Sequence, residues 1–531
     1  TLTLTLTLTL TLTLTLTPSG ERAVSGTILQ PHELVGPYGR LKPLRERVDV
    51  VVVGSGAGGA TAAATLAEAG RRVLLLEEGL PYSHREHHAN FSGMTSEIMR
   101  HGGATVIMGR GPIPYLEGRV LGGSTVLNGG MCWRTPERVL DEWATRGLER
   151  LAPGRLEGYF SLVEDVIDAR YQDEGSEGGN NNAFRRGAEA LGWRLQRNKR
   201  NQRHCVGTND CVSGCPTNAK RSAALTWVPR LLAAGGQVLT GATVRRVVAR
   251  GGAARGVEGY VRTPFGALPL SVEAPVVVVA CGAVQTPLLL QRSRLTRNPH
   301  LGRHFTVHPN AKVAALFDTP VESLRGVHQA WQCVEFQDEG LLLAPGGVPL
   351  SVISQCFPLA GAALQEQMRL APYIATAGVL VDDSVEGSVR AGLFGWDHVR
   401  YDLTDYDQSR FVLGVQRLAA LFFAAGARRV YTPFAAQPAL DHPSQVEHLA
   451  RLAPRVEETE YFTAHLMGTC RMSAREEGGV VSPRGELWGV RGLYVADASV
   501  MPGTIGVNPQ VTIMALARLI AEEIAAGGAP A

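Results

Sequence analysis

Residues 48–79 read VDVVVVGSGAGGATAAATLAEAGRRVLLLEEG, and this stretch decides the fold of the region around it. An apolar run at residues 48–53 is followed by a glycine-rich turn, a small-residue pattern typical of a helix, and a second apolar run at residues 73–76. Short apolar runs that flank a helix predict a βαβ unit with a buried parallel sheet. We therefore expect an α/β fold in this region.

The glycines and the acid of this stretch follow the pattern of a dinucleotide-binding turn. Gly54 permits a tight turn, Gly56 lets the backbone approach a diphosphate, and Gly59 lets the helix pack closely on the strand. The helix N-terminus adds free N–H groups and a partial positive charge. Glu77 ends the second run, where a carboxylate can bind the hydroxyls of an adenosine ribose. A glycine turn in an α/β domain without a ligand is the alternative.

Length and composition indicate a globular protein with more than one domain. The chain has 531 residues, of which 45% are hydrophobic and 19% are charged. A single core stops growing beyond about 250–300 residues, so we expect two domains. The formal net charge of +3 is too balanced to indicate a nucleic-acid partner. Eight cysteines in this length are not a dense disulfide framework, which favours a reducing compartment.

The sequence shows no transmembrane segment and no secretory signal. The longest apolar candidate, residues 418–427, has ten residues, whereas a span needs about 20. No basic segment precedes an apolar block, so we expect a cytoplasmic protein. Residues 1–17 alternate Thr and Leu strictly. So repetitive a pattern specifies no register and predicts a disordered or aggregation-prone tail.

The remaining patterns divide the chain into a tail and two domains. We expect a low-complexity tail and linker at residues 1–47. The expected segments of the dinucleotide domain are 48–135, 220–309 and 456–531, and those of the second domain are 136–219 and 310–455. Within the first domain, apolar runs and helical periodicity predict strands at residues 244–249, 256–262, 276–280 and 493–496 and a final helix at residues 512–525.

Further segments resemble the signatures of one family, the glucose-methanol-choline oxidoreductases. GRVLGGSTVLN at residues 118–128 resembles their first signature, and GAVQTPLLLQRS at residues 282–293 resembles their second. HLMGTCRM at residues 465–472, GLYVAD at residues 492–497 and the pair Asn508-Pro509 resemble their C-terminal block. The order and spacing of these motifs fit the family from about residue 45 to the end of the chain.

The resemblance implies a Rossmann-like FAD-binding domain built from discontinuous segments, beside a substrate-binding domain with an antiparallel sheet and helices. It implies FAD as the cofactor. Glu77 would bind the adenosine ribose, the backbone of Val244 would contact the adenine, and Asp497 would hold the ribityl or diphosphate part. By the same matching of positions, the residues that line the flavin region would be Val120, Gly123, Asn128, Gly129, Gly130, Met131 and Pro509.

The same resemblance assigns the catalytic residues and the mode of FAD attachment. Some relatives attach the flavin through a His of the first signature. The matching residue here is Leu127, which has no nucleophile, so we predict noncovalent FAD. The family's catalytic His matches His465, and its partner matches Asn508. We predict that His465 accepts the hydroxyl proton of an alcohol while hydride passes to flavin N5, and that Asn508 stabilises the developing negative charge.

Three cysteines form a segment whose role stays open. Cys205, Cys211 and Cys215 could lie in a structural loop with inert thiols, form a disulfide, or ligate an iron–sulfur or other metal cluster. The spacing departs from the usual Cys-x2-Cys runs and a fourth ligand is missing, so no metal site is predicted. A similar pattern occurs in the long-chain alcohol oxidases of the family.

The same cysteine segment and the pair His308-Pro309, which resembles part of the fatty alcohol oxidase branch, imply a hydrophobic long-chain or sterol-type alcohol as substrate. For His308 itself we expect a packing role, and substrate contact is the alternative. The other partner would be oxygen or another electron acceptor. The alternatives are a hydroxynitrile-lyase-like enzyme with structural FAD, a dehydrogenase that passes electrons to an iron–sulfur or cytochrome partner, and a binding or scaffold protein with a degenerate site.

Overall fold

The computed structural model describes residues 26–34, 44–84, 91–173, 175–357 and 359–527. The Thr-Leu repeat lies outside these residues. Two large sheets organise the described chain, one parallel and one antiparallel, with helices packed on both. This mixed architecture confirms the predicted fold class.

The first large sheet, here termed the parallel sheet, has six parallel strands. Every residue of Val50–Val53 and Val73–Leu76 is buried. The helix Ala57–Glu68 packs on these strands, and strands of the four-stranded sheet described below also contact the parallel sheet. The helix Ala57–Glu68 packs against the C-terminal helix Gln510–Ala526. The edge strand Ile28–Leu29 comes from the segment that was expected to be a linker. In spatial order the strands are Ile28–Leu29, Gln237–Leu239, Val73–Leu76, Val50–Val53, Val276–Val279 and Leu493–Val495.

The second large sheet has seven antiparallel strands, and its residues Asn310, Lys312, Leu342 and Leu380 line one side of a large cavity. The helices Gly178–Ala190 and Asp405–Ala424 pack against the sheet and against each other. One strand, Leu195–Arg197, comes from residues 136–219, and the others lie between residues 310 and 440. In spatial order the strands are Ala439–Leu440, Arg429–Tyr431, Asn310–Leu316, Ile374–Val381, Leu341–Pro345, Trp331–Cys333 and Leu195–Arg197.

Four smaller sheets complete the strands of the described residues. The four-stranded sheet is Ala242–Arg250, Ala253–Thr263, Gly266–Glu273 and Leu44–Arg47. Two three-stranded sheets are Met131–Cys132, Lys199–Asn201 and Ala169–Arg170, and Arg303–Phe305, Gly387–Arg390 and His398–Arg400. A two-stranded sheet is Thr105–Ile107 with Ile113–Tyr115.

The helices not yet named lie mostly on the outside of these sheets. None of the helices in the described ranges is long and apolar enough to cross a membrane. The remaining α-helices are Phe91–Ile98, Glu137–Thr145, Pro153–Val166, Trp227–Ala233, Gly282–Ser293, Leu350–Ile353, Gly361–Met368 and His448–Leu452.

The predicted elements of the first domain are confirmed within one to three residues at their ends. The helix predicted at residues 512–525 is Gln510–Ala526, and the strand predicted at residues 493–496 is Leu493–Val495. The strand Gly266–Glu273 was not predicted. It contains Pro269, and proline weakens the sequence signal of a strand.

Candidate active site

The glycine turn after Val50–Val53 has the geometry that its sequence predicts. Gly54 has φ +97°, a conformation that side chains disfavour. A Cβ at Gly59 would clash with the carbonyl oxygen of Gly54, so the helix packs on the turn only because this residue is glycine. A Cβ at Gly56 would meet no atom within 4 Å, because Gly56 faces a cavity.

The carboxylate of Glu77 is buried beside this turn. One oxygen accepts hydrogen bonds from the backbone N–H and the hydroxyl of Ser55, at 2.9 and 2.6 Å, and the other accepts one from the N–H of Gly79 at 2.7 Å. Burial raises the pKa of the Glu77 carboxyl, and these three hydrogen bonds oppose that shift. The strand that carries Val244 begins next to Glu77, since the N–H of Ala242 donates to the Glu77 carbonyl at 2.8 Å.

The turn opens into one large cavity of about 1070 Å³ between the two large sheets. This volume is at the upper end of the usual range for ligand cavities, about 300–1000 Å³. Of the predicted site residues, Gly59 and Val120 do not line the cavity. Val120 is buried in a small apolar cluster with Met94, Ile98 and Met99. Those that line it are Gly54, Gly56, Glu77, Gly123, Asn128, Gly129, Gly130, Met131, Val244, His465, Asp497, Asn508 and Pro509.

The loop of the first signature lies directly on the glycine turn. A Cβ at Gly123 would lie 2.8 Å from the Cα of Gly56, so the two glycines are in close contact. Further along, the Asn128 side chain donates to the side chain of Gln510 at the start of the C-terminal helix. The Asn128 Oδ1 and Gln510 Nε2 atoms are buried and have no protein partner. Both residues line the cavity.

Asp497 is fully occupied by donors of its own chain. One carboxylate oxygen accepts from the Gly282 N–H at 2.8 Å and the Thr286 hydroxyl at 2.5 Å. The other accepts from the N–H and hydroxyl of Ser499, at 2.8 and 2.5 Å. Asp497 therefore ties the second signature to the C-terminal block, whereas the sequence analysis assigned it to direct cofactor contact.

The two predicted catalytic residues meet at the cavity wall. The Asn508 Nδ2 atom lies 3.1 Å from the His465 Nε2 atom, and with the amide oriented in this way it donates to that nitrogen. The Asn508 Oδ1 atom is buried without a protein partner. Burial and the neighbouring His308 lower the pKa of His465 to about 3, so its imidazole is neutral.

His308 contacts His465 on the side away from Asn508. The two Nδ1 atoms are 3.2 Å apart, and the rings are nearly perpendicular. The His308 Nε2 atom lies 2.8 Å from the Thr504 hydroxyl, which donates to the Asp382 carboxylate at 2.6 Å. The backbone N–H of Gly506 also points at His308 Nε2, at 3.1 Å, so the tautomer of His308 decides whether His465 Nδ1 donates to His308 or accepts from it. His308, which was expected to pack near the site, therefore belongs to it.

The structure shows the surroundings of the three cysteines Cys205, Cys211 and Cys215, whose role was left open. Cys205, Cys211 and Cys215 form no disulfide with one another. Among the described residues, the potential metal ligands that come within 4.8 Å of one another are His308, Asp382 and Asp383, and the group includes no cysteine. The segment has a structural connection instead. Lys220 at its end donates to the carbonyls of Val126 and Asn128, each at 2.7 Å, and of Cys211 at 2.5 Å.

Comparison with known proteins identifies the family of this chain. The model of the GMC oxidoreductase family matches residues 94–310 and 396–517, and a model of the FAD binding domain matches residues 49–98. A GMC-type oxidoreductase of Mycobacterium tuberculosis is 38% identical over 91% of this chain and 77% of its own length. The chain belongs to the GMC oxidoreductase family. It is therefore an FAD-dependent oxidoreductase.

Other relatives extend the comparison. A GMC-type oxidoreductase of Sinorhizobium fredii is 33% identical over 92% of this chain and 96% of its own length. A long-chain-alcohol oxidase of Arabidopsis thaliana is 28% identical over 90% of this chain and 66% of its own length. The solved structure of pyridoxine 4-oxidase from Mesorbium loti matches with a TM-score of 0.68 at 20% identity. The match covers 90% of this chain and 98% of the chain of that structure. This structure shows that the GMC oxidoreductase fold is shared.

The residues of the cavity fit FAD. Gly56 leaves open space at the N-terminus of the helix Ala57–Glu68, where the partial charge favours a diphosphate. Three buried polar atoms without a protein partner, Asn128 Oδ1, Gln510 Nε2 and Asn508 Oδ1, belong to residues of the cavity wall. Buried polar groups are normally hydrogen-bonded, so these atoms indicate a polar bound group. Of this set, the sequence analysis missed Gln510.

Proposed function

We propose that this GMC oxidoreductase oxidises an alcohol to an aldehyde or ketone with noncovalently bound FAD. The observation that supports this most is the pair of His465 and Asn508 at the cavity wall. The Nε2 atom of a neutral His465 is a proton acceptor, and the Asn508 amide is 3.1 Å away. A hydroxyl placed beside both side chains would donate to His465 Nε2 in place of the Asn508 N–H and accept from the Asn508 amide.

The two side chains have separate roles in the reaction. His465 takes the hydroxyl proton on Nε2, because its low pKa keeps that nitrogen unprotonated at neutral pH. Asn508 donates to the oxygen as negative charge develops on it, which stabilises the alkoxide-like state. When bound, FAD supplies the acceptor for the hydride.

His308 positions the base. We propose that in the reactive tautomer its Nδ1 atom accepts from the His465 Nδ1–H, so that the His465 Nε2 atom carries no proton. The Thr504 hydroxyl and the Asp382 carboxylate continue this chain of hydrogen bonds. The Asp382 charge therefore favours the imidazolium that forms when the hydroxyl proton is taken up.

We propose a hydrophobic alcohol, of long-chain or sterol type, as the substrate class. The support is the similarity to the long-chain-alcohol oxidases of Arabidopsis thaliana and the apolar side chains of the cavity wall. The apolar wall residues beside the seven-stranded sheet include Leu342, Val348, Pro349, Leu380 and Phe462. Noncovalent attachment is proposed because Leu127, which lines the cavity, has no nucleophile.

An anaerobic titration of the purified protein tests this function. Flavin absorbance near ~450 nm should bleach when a long-chain primary alcohol is added, and readmitting air should separate an oxidase from a dehydrogenase. Acid precipitation should release the flavin, and flavin that stays with the polypeptide would contradict noncovalent binding. A flavin that no alcohol or sterol reduces would favour a lyase with structural FAD.

The variant His465→Ala tests the assignment of the base. We expect flavin reduction to slow by about 100- to 10,000-fold, the usual contribution of a general base, while FAD stays bound. Gln445→Ala is a control that should reduce the flavin like the unmodified enzyme, because the Gln445 side chain only caps the short helix Pro443–Gln445. Reduction by His465→Ala at the rate of the unmodified enzyme would refute the role of His465.

A further inference from the structure

The cavity wall formed by the seven-stranded sheet carries a lysine without a counter-charge. Lys312 lies on the strand Asn310–Leu316, two residues after Asn310, so the two side chains share one face of the sheet. Both residues line the cavity. Among the described residues, no side chain or carbonyl forms a hydrogen bond or an ion pair with the Lys312 ammonium. It lies 5.1 Å from the centre of the Phe462 ring.

The neighbouring positions leave space above the ammonium. Gly378 is paired with Lys312 on the adjacent strand. A Cβ at Gly378 would lie 3.3 Å from Lys312 Nζ and 3.0 Å from Asn310 Oδ1, and a Cβ at Gly346 would lie 3.3 Å from Nζ. The Asn310 Oδ1 atom is buried and has no donor. The two glycines therefore leave a polar spot bare, next to the side chains of Gln329 and His328.

The other described lysines show what a satisfied lysine looks like in this protein. Only four of the 52 basic residues are lysine. Lys199 pairs with Glu164 at 2.8 Å, and the buried Lys220 donates to three carbonyls. Burial lowers the pKa of Lys312 to about 8, as it does for Lys220. Lys312 is half-buried against the Phe462 ring and has no anionic partner among the described residues. A desolvated cation without a counter-charge is unfavourable, so an anion would complete this site.

We propose that Lys312 binds the carboxylate of a hydroxy acid, so that the preferred substrates are alcohols that carry a carboxylate several carbon atoms from the hydroxyl. This inference rests on the proposed alcohol oxidation. Asn310 pairs with Phe462, three residues before His465, and Lys312 is a further ~7 Å along the strand. Leu342 and Leu380, paired with each other in the row of Asn310, line the intervening wall and would contact the carbon chain.

The experiment compares matched substrates on the FAD-loaded enzyme. Linear ω-hydroxy carboxylates of four to ten carbons and the 1-alkanols of the same length are used to reduce the flavin anaerobically. The variants are Lys312→Met, which removes the charge at similar size, and Lys199→Met, which removes the surface lysine that pairs with Glu164. Binding of the non-oxidisable alkanoate of the best length is measured by calorimetry on the same proteins.

We expect one hydroxy acid to exceed its 1-alkanol in kcat/KM for the unmodified enzyme. Lys312→Met should lower kcat/KM for that hydroxy acid by about 10- to 100-fold, the usual effect of losing a charge-assisted hydrogen bond. It should leave the 1-alkanol unchanged or improved, and Lys199→Met should change neither. The inference is overturned if Lys312→Met affects both substrates equally, or if no hydroxy acid is preferred.

A second variant keeps the test decisive if Lys312→Met does not fold. Gly378→Ala places a methyl beside Nζ and Asn310 Oδ1 without removing the charge, and should also lower kcat/KM for the hydroxy acid selectively. The calorimetric readout separates the two hypotheses. If no alcohol reduces the flavin, the proposed oxidation fails, while alkanoate binding that depends on Lys312 still supports the carboxylate site. If alcohols reduce the flavin but alkanoate binding is equal with and without Lys312, the inference alone fails.

Discussion

The two walls of the cavity differ in how their charged side chains are paired. On the wall built from the parallel sheet, the carboxylates of Glu77 and Asp497 receive three and four hydrogen bonds from the chain itself. On the wall built from the seven-stranded sheet, Asn310 Oδ1 has no donor and Lys312 has no counter-charge. The two carboxylates of the first wall are therefore satisfied before any ligand binds. Asn310 and Lys312 on the second wall are left for a ligand to satisfy, as are the amide atoms Asn128 Oδ1, Asn508 Oδ1 and Gln510 Nε2.

This difference separates the residues that stabilise the fold from those that select the substrate. Changes to the first wall should cost folding free energy or cofactor binding, because each group there supports the backbone. Changes to the polar groups of the second wall should leave folding intact and alter the choice of substrate. Gly56 and Gly59, three residues apart, allow this separation to be tested within the first wall itself.

Gly59→Ala should have the largest effect on folding. The added Cβ would clash with the backbone carbonyl of Gly54, which cannot move without opening the turn. We expect a loss of about 3 kcal/mol or more in the free energy of unfolding, the upper end of overpacking costs. Gly56→Ala is the matched control, since its Cβ meets nothing and its φ of −65° suits alanine. Urea unfolding of both proteins measures the difference.

The control carries its own expectation. Gly56→Ala should fold normally but bind FAD at least ten-fold more weakly, because its methyl points into the cavity where a diphosphate would approach. FAD affinity is measured by quenching of flavin fluorescence. Equal stability of the two variants, or normal FAD affinity of Gly56→Ala, would remove the distinction between packing glycine and binding glycine.

This first wall is also the part that sequence predicts best. The turn, helix and strands of residues 48–79 are contiguous, so hydrophobic periodicity and glycine spacing describe them directly. The second wall is different. His308 meets His465 only because Thr306 and Asn310 pair with Met467 and Phe462, more than 150 residues away. No local pattern contains that pairing, so His308 was interpreted as a packing residue.

Lys312 is another residue whose role local sequence patterns do not predict. Its exposure to the cavity depends on Gly378 of the neighbouring strand and on Gly346, and neither glycine belongs to a recognisable motif. For Asp497 the motif was recognised, but its direct contact with the cofactor was inferred by analogy. The four hydrogen bonds that fill its carboxylate come from two other segments. Position in a motif therefore locates a residue better than it describes the residue's partners.

A comparison of Lys220→Met with Lys312→Met tests the difference between the walls on two lysines. Removing Lys220 leaves the carbonyls of Val126, Asn128 and Cys211 without their donor. Each lost partner costs about 1–3 kcal/mol, so we expect a loss of about 3 kcal/mol in the free energy of unfolding. Lys312→Met should be neutral or stabilising. Chemical denaturation of the two proteins, with bound FAD released beforehand, measures this, and similar stabilities would contradict the division between the walls.

The smallest expected effect is the pH dependence of flavin reduction. The reaction needs unprotonated His465, and burial with His308 lowers the pKa of this residue to about 3. The active form should therefore persist as the pH falls, so the reduction rate with a neutral 1-alkanol should change less than about two-fold between pH 5 and 8. A histidine with the ordinary pKa of about 6.5 would lose activity roughly ten-fold per unit below that value.

Stopped-flow reduction across this pH range measures the profile, and a variant identifies its origin. In His308→Gln the neighbouring imidazole is gone, while the burial of His465 remains. Because burial is the larger cause of the shift, the acid limb should move only slightly upward and stay below pH 5. A limb near pH 6.5 in the unmodified enzyme would show that the bound state solvates His465 enough to cancel the effect of burial. The pKa of His465 would then depend on the bound ligand, just as Lys312 on the opposite wall depends on a ligand for its counter-charge.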